Sequence, residues 1–345
     1  MKKDGKPLLS VLEGQAVWSP PIWLMRQAGR YLPEYRVART KAGSFWAMCQ
    51  NPELAAEVTL QPIRRFGLDA AIIFSDILTV PYALGRQIHF EDGKGPSLEP
   101  ATSASQLDRD SKVWKQKLEP AYETLHLARS HLSQGTALLG FAGAPWTLAT
   151  YMAAGRGGDE QRAAKLWGYC EPDSFASVLE LIGECVAEHL IAQIDAGADA
   201  VQIFDSWAGG LPERAFNDWV IRPTKHVVDR VRTTQPRARI IGFPRAATLQ
   251  GYARYAQETG VDAVSLDSAV PPFWAVEHMP KRVALQGNLD PVALLAGGQA
   301  LSRHVDHILG AVKERPFIFN LGHGVLPETP PEHVAALVEQ VRSAR

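Results

Sequence analysis

An apolar run, Ile22 to Met25, stops at Arg26, and Arg30 follows after Gln27-Ala28-Gly29. Two guanidinium groups at the end of a strand-like run suit the capture of carboxylates, because their planar fork of donors matches two carboxylate oxygens at once. Other chemistry-bearing residues come after later runs: Asp76, Tyr151 at the close of "GAPWTLATY", Asp205-Ser206, Pro244-Arg245, Asp267-Ser268, Asn288 to Asp290, and His323 between two glycines. Cations at one place and acids at several others describe a carboxylate-binding cleft. Each residue also has a scaffold reading. Arg26 and Arg30 could pair with Glu34, and Asp76 could cap the segment behind it, since aspartate is a favoured N-cap. Tyr151 could be a packed aromatic and Ser206 a cap after its strand. His323, in its glycine-flanked loop, fits a core role least. The stretch "NLGHGVLP" could also be a phosphate loop late in the chain.

These residues need elements to position them. The strand candidates are 22–25, 70–75, 138–142, 200–205, 239–243, 262–267, 283–287 and 316–320. Several are continuously apolar, as expected of parallel strands covered by helices. Helical patterns lie between them. Asn51-Pro52-Glu53 reads as N-cap, first-turn proline and first-turn acid, with Gly67 closing that helix. Ser174 to Ala196 is apolar at helical spacing and stops at Gly197.

A weak repeat, "GLDAAIIFSD", "GADAVQIFDS" and "GVDAVSLDS", runs three times from a helix-closing glycine through Asp-Ala into a strand ending in aspartate. Three such joints and eight strand candidates favour a (β/α)8 TIM-type barrel over an open doubly wound sheet. In such barrels the chemistry gathers where strands finish, at the C-terminal face. No linker divides the chain, so residues 1–345 read as one barrel domain, with the polar segment 93–110 as a loop insertion.

Composition narrows the function classes. The 345 residues are 46% hydrophobic and 21% charged, enough for a substantial core. A net charge of -1 gives no global field for nucleic acid or an anionic membrane. Cys49, Cys170 and Cys185 lack CxxC spacing, which points to a reducing compartment and to neither disulfides nor zinc. The start, "MKKDGKPLLS", has no signal-peptide stretch, and no apolar run is long enough to span a membrane. A cytoplasmic enzyme is expected.

The segments "PIWLMRQAGRYLPEYR" and "GFAGAPWTLATYM" resemble the two signatures of the uroporphyrinogen decarboxylase family of haem biosynthesis. "IFDSWAGGL", "QGNLDP" and "FIFNLGHGVLPETPPEHV" resemble further family blocks in the same order, so the resemblance covers nearly the whole chain. It implies a cyclic tetrapyrrole substrate with four acetate and four propionate side chains, whose acetates become methyls as CO2 leaves. A protonated pyrrole serves as electron sink, so neither PLP nor a metal is implied. By this resemblance Asp76 stabilises the cationic ring and Arg26 and Arg30 hold carboxylates. Gln27, Ala28 and Gly29 line the site through backbone or side chain, and Tyr151, Ser206 and His323 contact side-chain carboxylates. Arg26, Tyr151 and His323 join Asp76 as catalytic candidates, the proton coming from Arg26, from Asp76 or from a water held by Arg26. A homodimer is also implied.

Two loops depart from the family pattern: "AAGRGGDE" at 153–160 and Ser268 where tryptophan is common. Both are expected to affect peripheral contacts only. Zinc-dependent corrinoid methyltransferases of the same superfamily need a His-x-Cys pair, and here no cysteine lies within two residues of a histidine. A tetrapyrrole-binding module without turnover is the other alternative.

Overall fold

The computed structural model describes residues 5–91 and 95–344. The strands, in chain order, are β1 (Ala70–Ile72), β2 (Ile88–Glu91), β3 (Gly95–Leu98), β4 (Ala137–Gly143), β5 (Ala200–Asp205), β6 (Ile240–Pro244), β7 (Ala263–Ser265), β8 (Ala284–Leu289) and β9 (Phe317–Leu321). Seven of them form one parallel sheet in the order β1-β4-β5-β6-β7-β8-β9, with helices on every connection. The sheet curls into a TIM-type barrel.

The eighth stave of the barrel departs from the sequence expectation. Residues 22–25 were expected as a strand, yet only Ile22 bridges, in parallel to Phe319. The backbone N–H groups explain why. That of Trp23 reaches the Phe319 carbonyl, but those of Ile22, Leu24 and Met25 are taken by the side chains of Asp69, Gln27 and Asn320. Ile22 still closes the barrel, because its carbonyl accepts from Asp69 N just ahead of β1. The segment 93–110 differs too. Residues 95–98 pair antiparallel with 88–91, and Ala104–Gln106 forms a 3-10 turn; positions 93 and 94 lie outside the described residues. This hairpin docks through Leu98 N on the Gly155 carbonyl.

Alternation along the strands sorts side chains into two apolar bodies. Leu138, Ile240, Leu285, Phe317 and Phe319 pack between sheet and helices, while Leu139, Ile241, Ala284 and Ile318 join Trp23 in the barrel interior. Alanines 70, 137, 200, 263 and 284 leave interior room that the fully buried Trp23 shares. The interior also holds polar groups bonded to one another: Trp23 Nε1 donates to Gln286, whose amide donates to Gln202 and Ser265. A buried network of this kind fixes strand register.

The three-fold repeat has a structural meaning. Gly67, Gly197 and Gly260 all have positive φ (64°, 109° and 82°), where a side chain would be strained. The aspartate two residues later then clamps the neighbouring strand. Asp69, Asp199 and Asp262 donate their N–H to the carbonyls of Ile22, Leu138 and Ile240, and their carboxylates accept from the N–H of those same residues. Arg129 adds an ion pair to Asp199 at 3.0 Å, and Lys6 a second. Asp199→Ala removes an acceptor and strands two cations, so it should destabilise the fold by about 2–4 kcal/mol, read from urea unfolding. A loss below about 0.5 kcal/mol would show that the clamp is incidental.

Among the described residues no helix is long and apolar enough to cross a membrane.

Candidate active site

The barrel brings Arg26, Arg30, Asp76, Tyr151 and His323 to the C-terminal ends of its strands, with Ser206 at the same end. Arg26 comes after the Ile22 bridge and sits in the left-handed region at φ 58°, a conformation costly for any residue with a Cβ. Two glycines make room for it. A methyl at Gly324 would lie 2.3 Å from Arg26 Cδ, and one at Gly29 would lie 3.1 Å from its carbonyl oxygen. Arg26 presents much of its area to solvent yet is surrounded by protein on most sides, as at the floor of an open cleft. Burial pulls its pKa below the ordinary value. Asp76 and Tyr151 oppose that shift, while Arg245 and Arg30 add to it.

Asp76 lies just beyond β1. Its Oδ1 accepts from Leu78 N at 2.8 Å and its carbonyl accepts from Thr79, so it closes the turn ahead of the helix Thr79–Ala83, whose N-cap position is Leu78 and not Asp76. The turn takes one oxygen of the carboxylate and leaves the second for the cleft. Burial raises its pKa; Leu78 N–H and the Arg26 charge hold it back. Arg26 and Arg30 form no ion pair with Glu34, which instead faces Arg65 at 3.6 Å. Among the described residues neither arginine has a carboxylate within ion-pair distance, whereas Arg129, Arg230, Arg232, Arg239 and Arg254 all do.

Tyr151 lies on the helix Pro145–Ala154 behind β4. Its ring meets Trp207 edge-on at 6.2 Å. Trp207 Nε1 is buried and approaches the phenol without closing a well-formed hydrogen bond. Burial raises the Tyr151 pKa, so the phenol stays protonated and can donate. His323, in the loop after β9, is pushed down to about 4 by burial and then by Arg26 and Arg245, against a smaller opposing effect of Asp267. It is a neutral imidazole near pH 7. Ser206 is half-buried beside Trp207, and Ala28 and Gly29 are half-buried on the loop between the arginines.

Gln27 is different. It is fully buried, with its side chain spent on Leu24 N and the Ala70 carbonyl and its own carbonyl bonded to Tyr31, so its side chain serves the scaffold. The unusual loops also reach further in than expected. Gly157 sits where a methyl would be 3.2 Å from the Tyr151 ring, and Ser268 packs against Gly322 beside His323. Sequence reasoning placed Arg245 at a strand end but left it out of the site. Its electrostatic reach to Arg26 and His323 appears only once the barrel closes. A hollow of about 200 Å³ between Leu211, Phe216, Ala247 and Thr248 lies to one side and includes none of these groups.

Asp205, at the end of β5, is a buried acid outside this set. Thr147 donates to its Oδ1, its Oδ2 has no hydrogen-bond partner among the described residues, and burial pushes it up to about 7. Between the ordinary carboxyl value of 3.8 and 7 the unfolded chain has released this proton while the folded one keeps it. Stability therefore falls as pH rises through that window, by roughly 4 kcal/mol in all, and levels off above it. Asp205→Asn should flatten that slope in urea unfolding between pH 4 and 7. An unchanged slope would show that Asp205 is ionised in the folded chain.

The family model for uroporphyrinogen decarboxylase (URO-D) matches residues 3–344. The chain belongs to the uroporphyrinogen decarboxylase family. A uroporphyrinogen decarboxylase of Chelativorans sp. is 56% identical over 340 residues, covering 99% of each chain, and one of Brucella anthropi is 51% identical over 346 residues with the same coverage. In fold the chain is similar to a methyltransferase from Methanosarcina mazei, with a TM-score of 0.80 at 19% identity over 97% of both chains. A B12-independent methionine synthase from Shewanella sp. gives 0.55 at 14% identity, over 84% of this chain and 87% of that one. At such identities the likeness is one of fold. Among the described residues no three His, Cys, Asp or Glu side chains are grouped to hold a metal.

Proposed function

We propose that this chain converts the four acetate side chains of uroporphyrinogen to methyls, releasing CO2 and giving coproporphyrinogen, in the C-terminal cleft of its single barrel domain. The observation that carries the reading is the placement of Arg26, Arg30 and Asp76 at the C-terminal end of a barrel whose family is that of uroporphyrinogen decarboxylase, with neither arginine in an ion pair among the described residues. Arginines not held in ion pairs among the described residues have their donors open to carboxylates brought in by the substrate. Each charge-assisted hydrogen bond there contributes roughly 1.5–3 kcal/mol.

The chemistry is set by the ring. Protonation of a pyrrole ring carbon makes that ring cationic. The electron pair of the bond to the acetate carboxyl then flows into the ring as CO2 leaves, forming an exocyclic methylene. A proton added to that methylene gives the methyl, and loss of the ring-carbon proton restores the pyrrole. Each cycle exchanges one carboxylate and one proton for C–H and CO2. The substrate is its own electron sink, so the residues have only to bind, orient and stabilise charge.

In this reading Asp76 holds the pyrrole N–H groups and stabilises the cationic ring. Arg26 and Arg30 hold carboxylates, and the loop residues Gln27, Ala28 and Gly29 shape the floor. Tyr151, Ser206 and neutral His323 complete the carboxylate contacts. Proton delivery falls to Asp76, to Arg26 or to a water that Arg26 holds; the lowered pKa of Arg26 moves it in the direction a donor needs.

Anaerobic incubation with uroporphyrinogen in excess chelator and without PLP tests this: CO2 release at an undiminished rate is expected, and its loss on metal removal would overturn the cofactor-free reading. We also propose a cytoplasmic homodimer. Sedimentation should give twice the 37.8 kDa chain mass at micromolar concentration, and a monomer mass would overturn the assembly.

A further inference from the structure

We infer that Arg245 is a third carboxylate-holding arginine of the cleft, acting beside Arg26 and His323 on a side-chain carboxylate of the tetrapyrrole; this rests on the function proposed above. Arg245 is the first residue beyond β6. Pro244 stands in register with Asp205 at the end of β5, so Arg245 emerges at the C-terminal mouth. Its backbone is held from both sides. Arg245 N donates to the Asp205 carbonyl at 3.0 Å, and Ala246 N donates to Asp267 Oδ2 at 2.6 Å, beyond the end of β7. Ala246 is locked at φ 60°, a left-handed conformation, with Gly209 so close that a methyl there would lie 2.6 Å from its carbonyl oxygen. A turn strained and clamped in this way fixes the direction in which the preceding side chain leaves the strand.

The guanidinium so presented is half-buried and has no ion pair or side-chain hydrogen bond among the described residues. Among the described residues its neighbour Asp267 makes no ion pair with it, and the Asp267 oxygens accept from Ala246 N, Ala269 N and Tyr252 OH. The positive charge of Arg245 instead bears on Arg26 and His323. Arg245 and Arg26 repel one another across the cleft, and an anionic ligand held by both offsets that repulsion on binding. A substrate with eight carboxylates has more groups to hold than Arg26 and Arg30 can engage bidentately, which leaves a partner for a third fork.

The test uses full-length Arg245→Gln and Arg245→Lys with uroporphyrinogen under anaerobic conditions, measuring KM, kcat and the dependence of KM on salt. Arg245→Gln should raise KM about ten- to a hundredfold, the scale of one charge-assisted pair. The fall in kcat should be much smaller, and log KM should depend less steeply on log salt. Arg245→Lys, which keeps the charge and loses the fork, should recover part of the affinity and all of the salt dependence, and it carries the test if the glutamine variant does not fold. A scaffold residue would lower thermal stability and leave the salt slope unchanged; that result, or an unchanged KM, overturns the inference. Absence of turnover in the parent protein would instead overturn the proposed function and is told apart by that control.

Discussion

Asp76→Asn is expected to lower kcat by at least about two orders of magnitude, the scale of one lost electrostatic group, while substrate affinity changes only a few-fold. The geometry makes this substitution selective. Oδ1 of Asp76 accepts from Leu78 N, and an asparagine carbonyl can do the same, so the turn ahead of the helix Thr79–Ala83 stays closed. Only the charge is removed. A charge that matters when the ring becomes cationic stabilises the transition state more than the bound substrate, so the loss falls on kcat.

The pH profile gives an independent check. Stabilising the cationic ring requires the ionised form of Asp76, and burial raises its pKa above the ordinary carboxylate value. Activity should therefore fall off on the acid side at a pH above the usual carboxylate range, and that limb should vanish in the asparagine variant. Near-normal turnover in Asp76→Asn would leave the residue only its part in the turn before that helix.

Arg26→Gly should separate function from stability. At φ 58° a side chain costs about 1–2 kcal/mol that glycine does not. Glycine in turn loses about 0.4–1 kcal/mol through the freedom of the unfolded chain. The two nearly offset, so the variant should unfold within about 1 kcal/mol of the parent, and Arg26→Ala, which keeps the strain, should be less stable than Arg26→Gly. Turnover should respond very differently. Losing a bidentate contact to a substrate carboxylate should reduce kcat/KM by about two to four orders of magnitude. Arg30→Ala should weaken substrate binding and make the remaining binding less salt-sensitive. A variant that keeps kcat/KM within about threefold while folding normally would remove Arg26 from the binding machinery.

These residues were legible in the sequence because a barrel collects its strand ends. Once the runs at 70–75, 200–205 and 316–320 are strands, the residues just beyond them must meet at one face. The glycine-aspartate joints were legible as repeats, but the task of Asp69, Asp199 and Asp262 was not, since the N–H each accepts belongs to a strand far away in sequence or, for Asp69, to the bridge at Ile22.

The direction of the Gln27 side chain was not legible. Its place between two cleft arginines says nothing of direction, and the backbone there turns its amide into the scaffold. Strand 22–25 shrank to a bridge because side chains of Asp69, Gln27 and Asn320 took its ladder positions, which no local pattern records. The hairpin of β2 and β3 was hidden by its composition, since "GPSL" begins with two residues disfavoured in strands. Arg245 stood at a strand end in plain view, and only the closed barrel set its charge against Arg26 and His323.

Whether the cleft removes carboxyl groups from the acetate arms of a reduced tetrapyrrole is tested most directly by mass analysis of the product after anaerobic incubation with uroporphyrinogen. Stepwise loss of CO2 is expected, ending at a product with four carboxylates and the propionates intact, with no such loss in Asp76→Asn on the same timescale. Recovery of the octacarboxylate unchanged from folded parent protein would contradict it.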